Sequence, residues 1–358
     1  MKALITAGGR ATRLRPITQT INKHLIPLGN RPMVVYAIEK LVEAGVTDIA
    51  INVNPGENDI QRVCGDGSRW GAKLTFIEQL GGPKGLAHII KNARPFLKDD
   101  PFIFYLGDNI ILGSLRRFIE KFQKEKLNCL LALAKVRDPQ RFGVPEIVDG
   151  RIVRVVEKPA KPMSNYAVTG IYVYDRTVHE AVEAVQPSAR GEYEISDVNT
   201  WLIEHGRAVG YDEITGWWKD TGKPEDLIEG NHLILDQMSE AEAVIEGTVE
   251  EGVTLVGRIR IGRGTRIGPG SVIRGPVAIG ENCVIEDSFI GPFTAVGNRV
   301  EMYRAEVEHS VIFDDVDIST GERIVDSLIG QNASIISERE SKPTGHRLVI
   351  GDNSVVEL

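Results

Sequence analysis

Leu255, Ile261, Ile267, Ile273, Ile279 and Ile285 recur every six residues without a miss, and Val249 extends the series backwards. After a one-residue slip, Val284, Ile290 and Val296 continue it. A glycine follows the aliphatic position at Gly262, Gly268, Gly280, Gly291 and Gly297. Such a run constrains the fold tightly. Each six-residue strand and turn lays one aliphatic side chain into a continuous inner stack, so the chain from about 241 onward winds as a solenoid of short strands. The register loosens from 301 to 325 and returns at Ile329-Gly330 and Ile350-Gly351. The polar segment SERESKPTGHR, 337–347, reads as a loop protruding from the coil.

The preceding 240 residues follow another pattern. KALIT, DIAINV, KLTFIEQ and PFIFYL read as strands, while residues 31–44 and GLAHIIKNARPFL carry apolar residues at helical spacing, the latter stopped near Pro95. Strand alternating with helix implies a doubly wound, mostly parallel α/β sheet. From 127 to 175 the pattern turns to β, with Asp149-Gly150 as a hairpin turn between VPEIV and RIVRVVEK. Ligands of such sheets bind beyond the carboxyl ends of the strands. Ala7-Gly8-Gly9 and Gly107-Asp108-Asn109 both fall at ends of that kind.

The first of these turns carries the strongest chemical signal. Adjacent glycines permit close backbone approach and positive φ, and exposed N–H groups in such a turn make an anion site. Arg10, Arg13, Arg15 and Lys23 place four cations within fourteen residues of a chain whose net charge is −8. A local concentration of cations asks for a local anion, and a triphosphate gripped by guanidinium forks fits. The turn is neither a Walker loop nor G-x-G-x-x-G. Read alone, Asp108 is either a turn cap or one of the carboxylates that hold Mg²⁺ for phosphoryl chemistry.

Net charge −8 argues against nonspecific nucleic-acid binding. Cys64, Cys129 and Cys283 are few and far apart, with no metal-ligand spacing, and suit a reducing compartment. No run approaches the roughly eighteen apolar residues of a membrane span, and the N-terminal apolar stretch is too short for a signal-peptide core. A cytoplasmic protein is expected.

GGRATRLRPIT and NKHLIPLGNRP together resemble the glycine-rich loop and following lysine motif of the sugar-nucleotide pyrophosphorylases. The likeness is greatest to glucose-1-phosphate thymidylyltransferases in a long form that ends in a left-handed parallel β-helix of hexapeptide repeats. Ala11 stands where that family usually has glycine. The resemblance implies a nucleotidyltransferase domain over 1–240, a β-helix over 241–358, and Mg²⁺-dependent attack of glucose 1-phosphate on the α-phosphorus of dTTP or UTP. It implies nucleotide contacts from Ala7, Gly8, Gly9, Arg13, Gln79 and Gly85. Sugar-phosphate contacts would come from Asn109, Gly143, Glu157, Lys158, Val168, Gly170, Tyr172 and Glu192. Asp108 and Asp220 would hold the metal, with Arg13, Lys23 and Lys158 stabilising phosphate charge. Gln79 to Gly85 is one residue longer than the family's base-reading segment, so the loop must bulge, and Gly81 and Gly82 permit it.

Two rival readings remain open. The β-helix could be a second active site, an acetyltransferase with His309 as base and Asn332 nearby. The chain could also be a non-catalytic sensing or assembly subunit, although retention of Arg13, Lys23, Asp108, Lys158 and Asp220 disfavours that. Side-by-side association of β-helical prisms implies a homo-oligomer.

Overall fold

The structure, a computed structural model, describes residues 1–9 and 11–337. By their contacts the residues fall into two units. One comprises Met1–Arg10, Asn22–His24 and Met33–Asp220; the other comprises Ala11–Ile21, Leu25–Pro32 and Thr221–Leu358. The contacts change over at 220/221. The helix Pro224–Asp236 and the residues after it bury Leu235 and Met238 against Ala278 and Ala295, which groups them with the C-terminal unit.

The first unit is built on a seven-stranded sheet. Its strands are β1 (Lys2–Thr6), β2 (Asp48–Val53), β3 (Lys73–Glu78), β4 (Phe102–Leu106), β5 (Cys129–Lys135), β6 (Tyr166–Tyr174) and β7 (Val209–Glu213), in the order β7-β5-β6-β4-β1-β2-β3. Only β6 runs antiparallel to its neighbours. The apolar runs read from the sequence form its centre, with Ala3, Leu4, Ile5, Ile49, Ala50, Ile51, Phe102 and Phe104 almost wholly buried. One face packs on α1 (Leu86–Asn92), α2 (Val178–Ala184) and α3 (Ile195–Glu204) through Ala87, Ile90, Ala181, Val198 and Leu202. Pro95 does not simply end a helix: it opens a further helical turn, Arg94–Leu97, where its missing N–H costs nothing. The Asp149-Gly150 hairpin forms as read, both residues at positive φ.

β1, β2, β3 and β4 are parallel, so their carboxyl ends lie along one edge. That edge carries Ala7-Gly8-Gly9, Asn54, Gln79 and Gly107-Asp108 in turn. β6 is interrupted by a bulge between Val168 and Tyr172, where Gly170 takes φ 78°. A Cβ on Gly170 would lie 2.8 Å from Leu106 and 3.1 Å from the Asn109 amide, so no other residue fits.

The second unit holds the left-handed parallel β-helix, three parallel sheets of six, five and five strands among the described residues. Ile267 stacks on Ile285, Ile285 on Met302, Met302 on Ile318 and Ile318 on Ile335. The sequence series needs two corrections here. Ile285, fully buried, is the inward residue rather than Val284, and the slip falls between Ile285 and Ile290. The stretch 301–325 is not loose: Met302, Val307, Ile312 and Ile318 keep the stack continuous by steps of five, five and six residues. Asn282, Asp287, Phe293, Arg299, Arg304, His309, Asp315, Asp326 and Asn332 all take positive φ, and these left-handed residues turn the corners. The expected 337–347 loop, Ser337 apart, and Ile350-Gly351 lie outside the described residues. Among the described residues no helix is long and apolar enough to cross a membrane.

His179 on α2 is buried beside Phe102, ring centroids 6.2 Å apart. Burial, reinforced by the Arg94 charge, lowers its pKa below the ordinary 6.5. The unfolded chain therefore binds more protons as pH falls through the unfolded value, and stability present above about pH 6.5 is lost below it. The melting temperature should fall between pH 7.5 and 5.5 by a smaller margin in His179→Phe than in the wild type. Identical slopes in the two proteins would refute this role.

Candidate active site

The turn after β1 is tied down from three sides. Ala7 N–H donates to the Asn52 carbonyl at 2.8 Å, and Gly9 N–H donates to Asn54 Oδ1 at 2.9 Å. Asn22 Nδ2 donates to the Ala7 carbonyl at 3.2 Å, and Asn22 and Asn54 both donate to Glu57. Two of the three N–H groups that the sequence offered to an anion are therefore engaged within the protein. A Cβ on Gly8 would lie 3.0 Å from Asn54 Oδ1 and 3.2 Å from Asn52 Nδ2, so the close approach is to the protein's own amides. Asn22, Asn54 and Glu57 escaped the sequence reading, although an Asn-Pro-Gly-Glu turn directly after a buried strand was a usable signal.

Ala11, in the position usually held by glycine, adopts φ 41° and ψ 46°. The loop keeps the left-handed path, at a cost of about 1–2 kcal/mol for a residue with a Cβ. Arg13 is exposed on the 3₁₀ turn Thr12–Leu14, which belongs by its contacts to the second unit. Arg10 lies outside the described residues.

Lys23 and Asp108 form the centre of the site. Lys23 Nζ meets Asp108 Oδ2 at 2.5 Å, and Asn109 Nδ2 donates to Asp108 Oδ1 at 2.9 Å. Burial alone would raise the Asp108 pKa; Lys23, with the Asn109 amide, more than offsets it and holds the carboxyl at about 2. His24 next door is pushed down to about 4 by burial, with Lys23 adding to it and Asp108 opposing. Asn109 is buried, and Trp218 Nε1 donates to its Oδ1 at 2.7 Å. Both ends of that amide are thus committed to orienting Asp108 and Trp218.

Asp220 reaches the same place by a separate two-stranded ribbon. β8 (Trp218–Asp220) pairs antiparallel with Asn109–Ile111, and the register sets Asp220 directly opposite Asn109. Two acids more than a hundred residues apart in sequence therefore end on one ribbon. Their all-oxygen donors suit a hard cation that keeps phosphate oxygens or water as its remaining ligands. Among the described residues no cluster of three or more His, Cys, Asp or Glu could hold a metal by itself.

A second polar group gathers at the end of the strand Arg151–Glu157. Ser196 Oγ donates to Glu157 Oε2 at 2.8 Å, and Lys158 Nζ lies 3.2 Å from Glu157 Oε1. Arg190 joins Glu194 at 2.8 Å, Glu157 at 3.5 Å and Glu192 at 3.9 Å. Gly143 closes against this group: a Cβ there would meet Ser196 Oγ at 2.8 Å. Lys158 holds φ 43° immediately before Pro159, a strained conformation of order 1–3 kcal/mol. Arg190 was missed in the sequence, where only its acidic neighbours stood out; the two carboxylates in SARGEYE needed a cation. Val168 and Tyr172 lie in the core, with the Tyr172 ring on Phe104 and Tyr174 and its phenol pushed well above the ordinary value by burial, then by Glu157.

Gln79 follows β3, and its Oε1 would be 3.5 Å from a Cβ on Gly8. Gly81, Gly82 and Gly85 all take positive φ, the backbone that the extra residue in this loop requires. Gly85 packs against the Tyr193 backbone.

His309 in the second unit is a corner residue with φ 51°. Its ring sits edge-on to Phe293 at 5.5 Å and to His232 at 5.9 Å, with Asp326 at 3.9 Å from Nδ1. Asn332 is likewise a corner residue.

A glycine turn, a lysine–aspartate pair and a second aspartate delivered by a ribbon thus gather at the carboxyl edge of a parallel sheet, where such sheets bind their ligands. Residues 2–237 match the nucleotidyl transferase family, and residues 258–288 match the bacterial transferase hexapeptide (six repeats) family. The chain belongs to the nucleotidyl transferase family. It is similar over its whole length to a glucose-1-phosphate thymidylyltransferase of Streptomyces antibioticus, 41% identical over 360 residues covering 100% of this chain and 99% of the relative. A low-salt glycan biosynthesis nucleotidyltransferase of Haloferax volcanii is 42% identical over 361 residues, 100% of both chains. The crystal structure of a Bacillus anthracis protein assigned as a glucose-1-phosphate thymidylyltransferase, in complex with sucrose, superposes with TM-score 0.62 at 39% identity, covering 65% of this chain and 94% of that one.

Proposed function

We propose that the enzyme is a glucose-1-phosphate thymidylyltransferase: glucose 1-phosphate and dTTP give dTDP-glucose and pyrophosphate. The observation that carries the reading is the Lys23–Asp108 pair on the sheet edge, with Asp220 set opposite Asn109, in a chain alike end to end with a thymidylyltransferase. The attacking group is a phosphate oxygen of glucose 1-phosphate, already ionised, so no general base is needed. As its bond to the α-phosphorus forms, the bond from that phosphorus to the β-phosphate bridging oxygen breaks. Catalysis is then placement and charge stabilisation. Arg13 stabilises the departing pyrophosphate, and Lys23, drawn from Asp108 by phosphate charge, bridges the reacting groups. Glu157 takes sugar hydroxyls, and Lys158 with Arg190 holds the sugar phosphate. Gln79 and Gly85 meet the base. Asp108 and Asp220 would hold Mg²⁺, which supplies electrophilic neutralisation of phosphate charge when bound.

Pyrophosphate release with glucose 1-phosphate and each of dTTP, UTP, CTP and GTP tests the reading. The highest kcat/KM is expected with dTTP. Turnover of none of them would overturn it. Lys158→Ala and Arg190→Ala should each raise KM for glucose 1-phosphate by roughly tenfold or more, as loss of a charge-assisted contact does, with KM for dTTP nearly unchanged. Equal effects on both substrates would remove the phosphate-holding role. The β-helix is assigned to assembly rather than acetyl transfer, His309 being a corner residue packed on two rings. A homo-oligomer is expected by light scattering, in the cytoplasm, where the three buried free cysteines remain thiols.

A further inference from the structure

The carboxyl end of β2 carries an amide that the protein alone does not use. Asn52 is fully buried, and neither Nδ2 nor Oδ1 has a hydrogen-bond partner among the described residues. It lies between Thr6 of β1 and Ile77 of β3, on a strand that is apolar on either side of it from Ile49 to Val53. Burying an amide with neither end paired is costly. A leucine, branched at the same atom, would fill the place without that cost. Nδ2 nevertheless faces the glycine turn: it would lie 3.2 Å from a Cβ on Gly8, the same point that is 3.5 Å from Gln79 Oε1. Gln79 is only 5% exposed, and its side chain makes no hydrogen bond among the described residues. Two unpaired carboxamides converge on one point beside the turn.

We infer that Asn52 is a positioning residue for nucleobase selection. With nucleotide bound, Asn52 Nδ2–H donates to Gln79 Oε1 and fixes which end of the Gln79 carboxamide meets the base. The inference rests on the reading that Gln79 meets the base edge. A carboxamide left to itself turns over freely and offers either pattern, because its oxygen and NH₂ ends are alike in size. Thymine and uracil present a carbonyl acceptor beside a ring N–H; cytosine presents an amino donor beside a bare ring nitrogen. With Oε1 held by Asn52, its second lone pair accepts from the ring N–H while Nε2–H donates to the carbonyl. Asn52 Nδ2 faces the glycine turn, so with Asn52 kept in that orientation a Gln79 turned over to suit cytosine would set its NH₂ against that of Asn52. Rejection of cytosine thus comes from a repulsive contact one residue removed from the base.

The test uses the full-length enzyme with dTTP and dCTP, in the wild type and in Asn52→Leu, Asn52→Val and Gln79→Leu. Two quantities are read: KM and kcat for each nucleotide, and the rise in melting temperature that each nucleotide causes. The second does not depend on which sugar phosphate is the substrate. Both Asn52 variants should melt at or above the wild-type temperature when free. Their preference for dTTP over dCTP should fall roughly tenfold, the scale of one bidentate base contact, with the loss in KM rather than in kcat at saturation. An unchanged preference, a loss confined to kcat, or failure of both variants to fold overturns the inference. If Gln79→Leu abolishes the preference while the Asn52 variants keep it, only the role of Asn52 falls. If Gln79→Leu also leaves the preference intact, the base-reading role of Gln79 falls with it.

Discussion

Asp108→Asn and Asp220→Asn should each lower turnover by about a hundredfold or more, the scale on which a pre-placed charge acts on a transferring phosphoryl group. The geometry gives each substitution a distinct signature. Asp108 is held ionised at about 2 by Lys23 and Asn109 despite its burial. Removing its charge leaves Lys23 without its 2.5 Å partner, so Asp108→Asn should also change the thermal stability of the free protein. Asp220 reaches the site through the ribbon, opposite Asn109. Asp220→Asn should require a higher Mg²⁺ concentration for half-maximal rate. Near-normal turnover of either variant in limiting Mg²⁺ would dismiss the two-carboxylate site.

Ile285→Ala should destabilise the second unit by about 2–5 kcal/mol, the cost of emptying a fully buried aliphatic position. Ile285 is fully buried and stacks between Ile267 and Met302 in successive coils. A cavity there removes contacts from both sides and cannot collapse without moving two coils. Ile245, 48% exposed, is the control: Ile245→Ala should fall within about 0.5 kcal/mol of the wild type. Scanning calorimetry, which can separate the transitions of two units, should show the loss in one transition. A shift no larger than that of Ile245→Ala would mean that the stack does not set the stability of the coil.

Much of this was legible in the sequence because it is carried by local pattern. The six-residue period, the apolar strands, Asp149-Gly150 and the glycine turn each report on a few neighbouring residues, and the structure forms each. The slip at Ile285 was misplaced because Val284 and Ile285 are equally apolar; only cross-coil stacking decides which points inward. The site was legible in types and not in partners. Asp108 and Lys23 could be picked out, but their ion pair spans 85 positions and needs the sheet. Asp220 sits beside Asn109 through a register that no local signal encodes. Arg190 escaped because Glu157 joins its neighbours Glu192 and Glu194 only through the fold. Asn52 escaped because a lone polar residue in an apolar strand reads as noise until its missing partners are seen.

The corners of the coil bear on how such a chain can change length. Successive inward residues are five or six positions apart, as at Ile285 to Ile290 and Ile279 to Ile285, and the strands on either side keep their pairing. The difference is absorbed where left-handed residues turn the chain, not where side chains stack. Losing one residue at a corner such as Arg263-Gly264-Thr265 should therefore be tolerated far better than losing one inside Arg266-Ile267, which would swing the next inward side chain out into water. The coil is editable in small steps at its edges and in whole turns along its axis, while its interior accepts neither.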